Sequence, residues 1–176
     1  MSIAKNFFEI FSLPASWEID HNVLDKKFRT LQLTFHPDRY ANKNDFEKRL
    51  AVQTASTINQ AYETLSSPLL RAQYLLKLEG FDADQESHIT SDGQFLMQQM
   101  VLREALSDAK DSANPKDALV SLSIEAQQAA AKIQADFAQY FNTKEYNQAF
   151  DALAKMQFAC KFVNDISSLE AELEEL

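Results

Sequence analysis

The chain has 176 residues, of which 45% are hydrophobic, enough for one medium domain or two small ones with a real core. Its formal charge of −9 disfavours general nucleic-acid binding, which needs a basic face to displace counterions. Only 2 Gly and 4 Pro occur, where average usage gives about 12 and 9, so long helices and few hairpins are expected and the fold class reads as all-α.

The opening run Phe7-Phe8-Glu9-Ile10-Phe11 has no signal-peptide architecture and reads as domain from the outset. Phe7, Ile10 and Phe11 predict a short helix over 6–13, stopped by Pro14. Asp20 is the N-cap candidate of the next helix. Leu24, Phe28, Leu31 and Phe35 then keep one helix face within about 60°. Lys26, Lys27 and Arg29 fall off that stripe, with only Asp25 placed to neutralise Arg29. Most such clusters are a solvated face; in an acidic chain, this one invites a functional reading.

His36-Pro37-Asp38 follows at once, where the proline ring disfavours helix in the residue before it. A polar, rigid tip between two amphipathic helices reads as a contact point. The second helix runs from about 45 to 65, with Leu50, Thr54, Ile58, Ala61 and Leu65 on one face, and should pack antiparallel to the first. Pro68 starts a fourth helix to Leu78, which Gly80 terminates.

Residues 81–91 form a polar connector, dividing the chain into domains 1–80 and 92–176; His88 within it reads as a solvated loop histidine. Three helical stretches follow, about 92–110, 115–141 and 144–174, and short connections predict an antiparallel three-helix bundle. The middle one offers Leu119, Leu122, Ala126, Ala130, Ile133, Phe137 and Phe141 to the core. In the first, Phe95, Leu102, Leu106 and Ala109 make a core stripe, yet Leu96, Met97, Met100 and Val101 lie about 100–240° away, continued by Glu104 and Asp108. Either other parts of the chain cover this second face, or it binds a protein partner. The last helix carries two stripes as well: Ala149, Leu153, Met156, Cys160 and Val163, then Phe158, Phe162, Ile166, Leu169 and Leu173. Cys160, the single cysteine, excludes a disulfide framework and is expected as a buried structural thiol, and Phe158 is the member of its stripe most able to be exposed.

HPDR between amphipathic helices, followed by Ile58-Asn59-Gln60-Ala61-Tyr62-Glu63-Thr64-Leu65, resembles a J-domain. The glycine/phenylalanine-rich segment and CxxCxGxG repeats of other J-proteins are absent. The whole chain resembles the HscB family of iron–sulfur co-chaperones. The matching residues are Ala55 to Ala61, Arg71-Ala72-Gln73-Tyr74-Leu75-Leu76, Gly80-Phe81-Asp82, Phe95-Leu96-Met97 and Leu102-Arg103-Glu104. The resemblance implies a J-domain packed on a three-helix bundle in an L shape. It also implies two partners, an HscA-type ATP-driven chaperone and an IscU-type cluster scaffold. It would give His36, Pro37, Asp38, Arg39, Lys26, Lys27 and Arg29 to the chaperone, with Asp38 offering its carboxylate to an arginine. It would give Leu96, Met97, Met100, Val101, Glu104, Asp108 and Phe158 to the scaffold.

Some positions depart from the family pattern. Val101 stands where bacterial relatives can carry an acid, Thr34 where J-domains are often basic, and Arg39 replaces the commoner Lys with its charge kept. The N-terminal cysteine-rich extension of eukaryotic relatives is missing, so a bacterial cytoplasmic protein, expected as a monomer, is the reading. A non-enzymatic adaptor is therefore expected, with no cofactor, metal, nucleic acid or membrane. A J-protein for many unfolded clients is the alternative. An enzyme using His36 and Asp38 is disfavoured, since the pair sits in a Pro-locked tip without an evident pocket.

Overall fold

The structure is a computed structural model that describes residues 6–81 and 90–174. Most of the connector, His88 included, lies outside the described residues. No strand occurs among the described residues, so the chain is all-α. It divides into two compact units, Met1–Glu79 and Gly80–Leu176.

In the first unit, Asn6 caps the single turn α1 (Phe7–Ile10) by accepting from the Glu9 N–H at 3.0 Å. The turn is shorter than its apolar spacing suggests. Ser12 adopts a left-handed φ of 49°, and the Leu13 N–H returns to the Phe8 carbonyl at 2.9 Å before Pro14 is reached. Phe8 and Phe11 are the buried anchors, whereas Phe7 stacks on Tyr74 at 4.6 Å and donates its N–H to the Tyr74 hydroxyl at 2.9 Å.

Asp20 caps α2 (His21–Phe35), accepting from the Asn22 and Val23 amides. A capping box of Asn44 and Glu47 opens α3 (Asp45–Ser66). The two helices form a hairpin in which Phe28 and Tyr62 stack face to face at 3.9 Å. The Tyr62 hydroxyl donates to Asp25 Oδ1 at 2.9 Å, so Asp25 serves the hairpin. That hydrogen bond, then burial, raises the Tyr62 pKa above its ordinary value. Leu50, expected on the buried face of α3, is exposed, and Ala51 is buried in its place. Seven residues back from Ile58 is only about 20° off the core direction, whereas eight residues back is about 80° off.

Ser67 and Pro68 start α4 (Pro68–Leu78), and Gly80 follows it with a φ of 88° that favours glycine. Arg71 of α4 is buried against the Trp17 ring, 4.7 Å from its centroid. Its Nη1 donates to the Leu65 carbonyl at 2.6 Å, in the last turn of α3. A cation at the negative end of a helix dipole is favourable there, while burial pulls the Arg71 pKa down.

The second unit is α5 (Gly93–Lys110), α6 (Pro115–Asn142) and α7 (Tyr146–Glu174). At 1.5 Å per residue, α6 and α7 are each about 42 Å long and pack against one another as an antiparallel pair. The turn between them puts Lys144 at φ 62°, which delays the start of α7 to Tyr146, two residues beyond the sequence expectation. Ala109, Leu119, Leu122, Ala126, Phe162 and Ile166 form the core, with Leu102, Leu106, Val163 and Leu169 packed on it. Nearer the α6–α7 turn, Phe137, Ala149 and Leu153 are buried, and Phe141 and Tyr146 rings meet at 5.8 Å.

Cys160 is exposed, not buried as expected. The two apolar stripes of α7 are used in succession. Ala149, Leu153 and Met156 bury the first half; Phe162 and Ile166 bury the second, about a third of a turn round. Cys160 continues the first stripe into a half of the helix where that side is open.

Candidate functional site

The first candidate surface is the tip between α2 and α3. His36 ends α2 in an extended conformation (φ −61°, ψ 128°), as its following proline requires. Pro37–Tyr40 form one 3₁₀ turn, closed by the Arg39 N–H on the His36 carbonyl at 3.0 Å. The His36 side chain caps this turn: Nδ1 accepts from the Asp38 N–H at 3.3 Å. The Asp38 carboxylate, 3.5 Å from the same Nδ1, is 91% exposed and is available to a partner. Arg39 donates to the Leu33 carbonyl at 3.0 Å, so it also caps the negative end of α2.

The basic residues divide. Lys26 and Arg29 are exposed, whereas Lys27 is half-buried and donates to the Ser12 carbonyl at 3.0 Å. On the helical wheel, Lys26, Arg29, Leu33 and His36 fall within about 80° of one another, and Lys27 lies on another side. Leu33 is 70% exposed in the middle of this strip and was not singled out from the sequence. Its signal was available, since nine residues past Leu24 is about 180° from the core direction.

The second surface is α5. Asp92 caps it, accepting from the Gln94 and Phe95 amides at 3.1 Å. Phe95 and Ala109 are buried, with Leu102 and Leu106 packed on the core. Met97, Met100 and Val101 are 64%, 67% and 59% exposed, so α6 and α7 leave this face of α5 uncovered. Glu104 and Asp108 are exposed beside them and Leu96 is half-buried. Phe158 on α7 is half-buried and meets Phe95 edge-to-face at 6.0 Å, which sets it next to the first turn of α5. The structure thus brings Phe158 to the helix that carries the other six residues. It also divides them, because Met97 and Val101 border a groove toward α6 that Phe158 does not line.

An unexpected ion-pair cluster stands at the start of α5. Lys155 donates to Asp92 Oδ2 at 2.7 Å and to Asp151 Oδ2 at 3.1 Å, and lies 5.7 Å from the Phe95 ring centroid. Burial works against the Lys155 charge, yet the bonds to Asp92 and Asp151 outweigh it and hold its pKa above the ordinary value. The Lys155 bond, then the amides of the cap, hold the Asp92 carboxyl below the usual carboxylate range. Nothing local in the sequence links positions 63 residues apart.

Residues 91–167 match the family model described as the HSCB C-terminal oligomerisation domain, and residues 6–74 match the DnaJ domain. A co-chaperone protein HscB homolog of Vibrio cholerae is 40% identical over 172 residues, covering 96% of this chain and 98% of the relative. The chain belongs to the HscB co-chaperone family. The HscB homolog of Shewanella loihica is also 40% identical over 172 residues, covering 96% of this chain and 95% of the relative. The solved structure of chaperone HscB from Vibrio cholerae has a TM-score of 0.86 at 37% identity, covering 96% of this chain and 99% of that one. The first unit is therefore a J-domain, the second is the HscB helical domain, and the chain is a J-domain co-chaperone. Among the described residues, no group of three His, Cys, Asp or Glu could hold a metal ion, and no helix is long and apolar enough to cross a membrane.

Proposed function

We propose that the chain serves iron–sulfur cluster biogenesis as an adaptor in a bacterial cytoplasm. It binds an IscU-type scaffold protein through Leu96, Met97, Met100, Val101, Glu104, Asp108 and Phe158. It delivers that scaffold to an HscA-type chaperone, an Hsp70, and stimulates its ATPase through His36, Pro37, Asp38 and Arg39. Lys26, Lys27 and Arg29 guide the encounter with an acidic chaperone surface, an effect that falls with salt. The chain itself is non-catalytic and works as a monomer. Tethering client and J-domain in one molecule raises the effective concentration of each at the chaperone.

The observation that carries this reading is the combination, in one HscB-family chain, of a stiff polar tip and a bare apolar helix face. The tip presents the exposed Asp38 carboxylate; the face presents exposed Met97, Met100 and Val101 rimmed by Glu104 and Asp108. Asp38→Asn keeps the size of the side chain and removes its charge. Steady-state ATPase of the chaperone should fall to its unstimulated rate with this variant, while calorimetry gives an unchanged scaffold affinity. Normal stimulation by Asp38→Asn sinks the reading of the tip. Equal affinity for folded scaffold and for denatured polypeptides would instead make this a general J-protein.

A further inference from the structure

The α5 helix is held less completely than its neighbours. A groove of about 730 Å³ separates it from α6 and α7, lined by Phe95, Val101, Leu102, Ala126, Ala129 and Phe162. Along that groove the apolar packing of α5 is incomplete, although Phe95 is buried at its first turn. Beside Phe95, the N-terminal turn is also held by one carboxylate with two tasks. Asp92 Oδ1 accepts the Gln94 and Phe95 amides, and Asp92 Oδ2 accepts Lys155 Nζ from α7. Asp151, one turn before Lys155, holds the ammonium from its other side. The Lys155 ammonium also faces the Phe95 ring, whose edge-to-face partner is Phe158.

Lys155 is thus joined to both helices of the candidate scaffold surface where they meet, through Asp92 to the turn carrying Leu96 and Met97, and through Phe95 to Phe158. We propose that Asp92 and Lys155 are positioning residues for scaffold binding: their ion pair pins the start of α5 to α7 and holds Leu96 and Met97 in register with Phe158. This rests on the scaffold reading of α5 given above. The clamp touches no scaffold itself; it keeps the binding-competent arrangement populated before the partner arrives. If its loss leaves that arrangement present a tenth of the time, the apparent affinity falls about tenfold. The pair adds a polar tie where the groove leaves apolar packing incomplete. Both members keep their charge through the neutral range, given a lowered Asp92 pKa and a raised Lys155 pKa.

Lys155→Met keeps the aliphatic stem beside Phe95 and removes the ammonium. In the full chain, scaffold is titrated against chaperone ATPase, with hydrogen exchange at residues 94–97 and thermal melting measured alongside. The expected result is an about tenfold higher half-saturating scaffold concentration, an unchanged stimulation plateau and melting temperature, and faster exchange at those amides. Lys155→Arg should restore all of these. A Lys155→Met titration that matches wild type, while Leu96→Ala with Phe158→Ala weakens binding, overturns the clamp and leaves the scaffold reading standing. A lowered plateau together with a lowered melting temperature makes Lys155 a stability residue only and also overturns it. Absence of scaffold binding by the wild-type chain removes the scaffold reading itself, and the clamp with it.

Discussion

The tip after α2 and the face of α5 hold their geometry by opposite means. At the tip, the hydrogen bonds that fix the turn come from within a few residues. The proline ring sets the exit from α2, His36 Nδ1 accepts from the Asp38 N–H, and Arg39 reaches back to the Leu33 carbonyl. On α5, the positions are fixed from far along the chain, by Lys155 on Asp92 and Phe158 on Phe95. The tip depends on its own short stretch of sequence. The α5 face depends on how this bundle packs. On the function proposed above, the handle for the chaperone and the surface for the client are thus built with different tolerance. Substitutions at the tip should act singly, whereas those on α5 should act through the helix as a whole.

The largest effect that sharpens this contrast is expected on α5. Leu96→Ala, Met97→Ala and Phe158→Ala together remove the apolar body of the face. Scaffold affinity in calorimetry should fall about a hundredfold or more, as loss of two or more hot-spot contacts implies. The chain's stimulation of chaperone ATPase without scaffold should be untouched. Unchanged affinity would return the three residues to a structural role and erase the distinction between the two surfaces.

A smaller effect is expected from charge at the tip's approach. Lys26→Glu with Arg29→Glu should slow association with the chaperone about tenfold at low salt, and less as ionic strength rises. Lys27→Glu should do less, because Lys27 is already tied to the Ser12 carbonyl. Equal effects from all three would mean that the whole positive cluster, not the Lys26–Arg29–His36 side of α2, faces the chaperone. Stopped-flow association across a salt series separates these outcomes.

The smallest effect concerns the hairpin that carries the tip. Tyr62 donates to Asp25, and its pKa is raised from 10.0, so its contribution is fully present below that value and is lost as pH rises through the folded one. Urea denaturation should accordingly show the J-domain weakening above about pH 10. Tyr62→Phe should cost about 1 kcal/mol at neutral pH and flatten that alkaline loss. An alkaline loss that persists in Tyr62→Phe would assign it to another group. Scaffold affinity should follow none of this.

How far the sequence could be read follows the same division. The helices, the cap at Asp20 and the tip were legible because periodicity, capping residues and Pro37 act over one or two turns; the Asn44 capping box of α3 was not singled out. The face of α5 was legible as an excess, since Met97, Met100 and Val101 could not share a stripe with Phe95 and Leu102. What periodicity could not resolve was which excess is buried. Cys160 and Leu50 each sat in a plausible stripe, and both are exposed because the buried line drifts round the helix as its neighbours change. Phe8 escaped notice for a similar reason, in a helix of one turn where spacing says little. Lys155 left no local trace, because its partner Asp92 is brought to it only when α5 and α7 pack together.

The central claim is that one chain joins the two surfaces in a single act. The most direct measurement is chaperone ATPase with scaffold and chain added separately and then together. Stimulation by both should exceed the sum of each alone. That excess should vanish with the Leu96, Met97 and Phe158 alanine variant, which keeps the chain's own stimulation, and all stimulation due to the chain should vanish with Asp38→Asn. An excess that survives in the alanine variant, or an additive response in the wild type, would contradict the claim that the J-domain and the α5 face work as one adaptor.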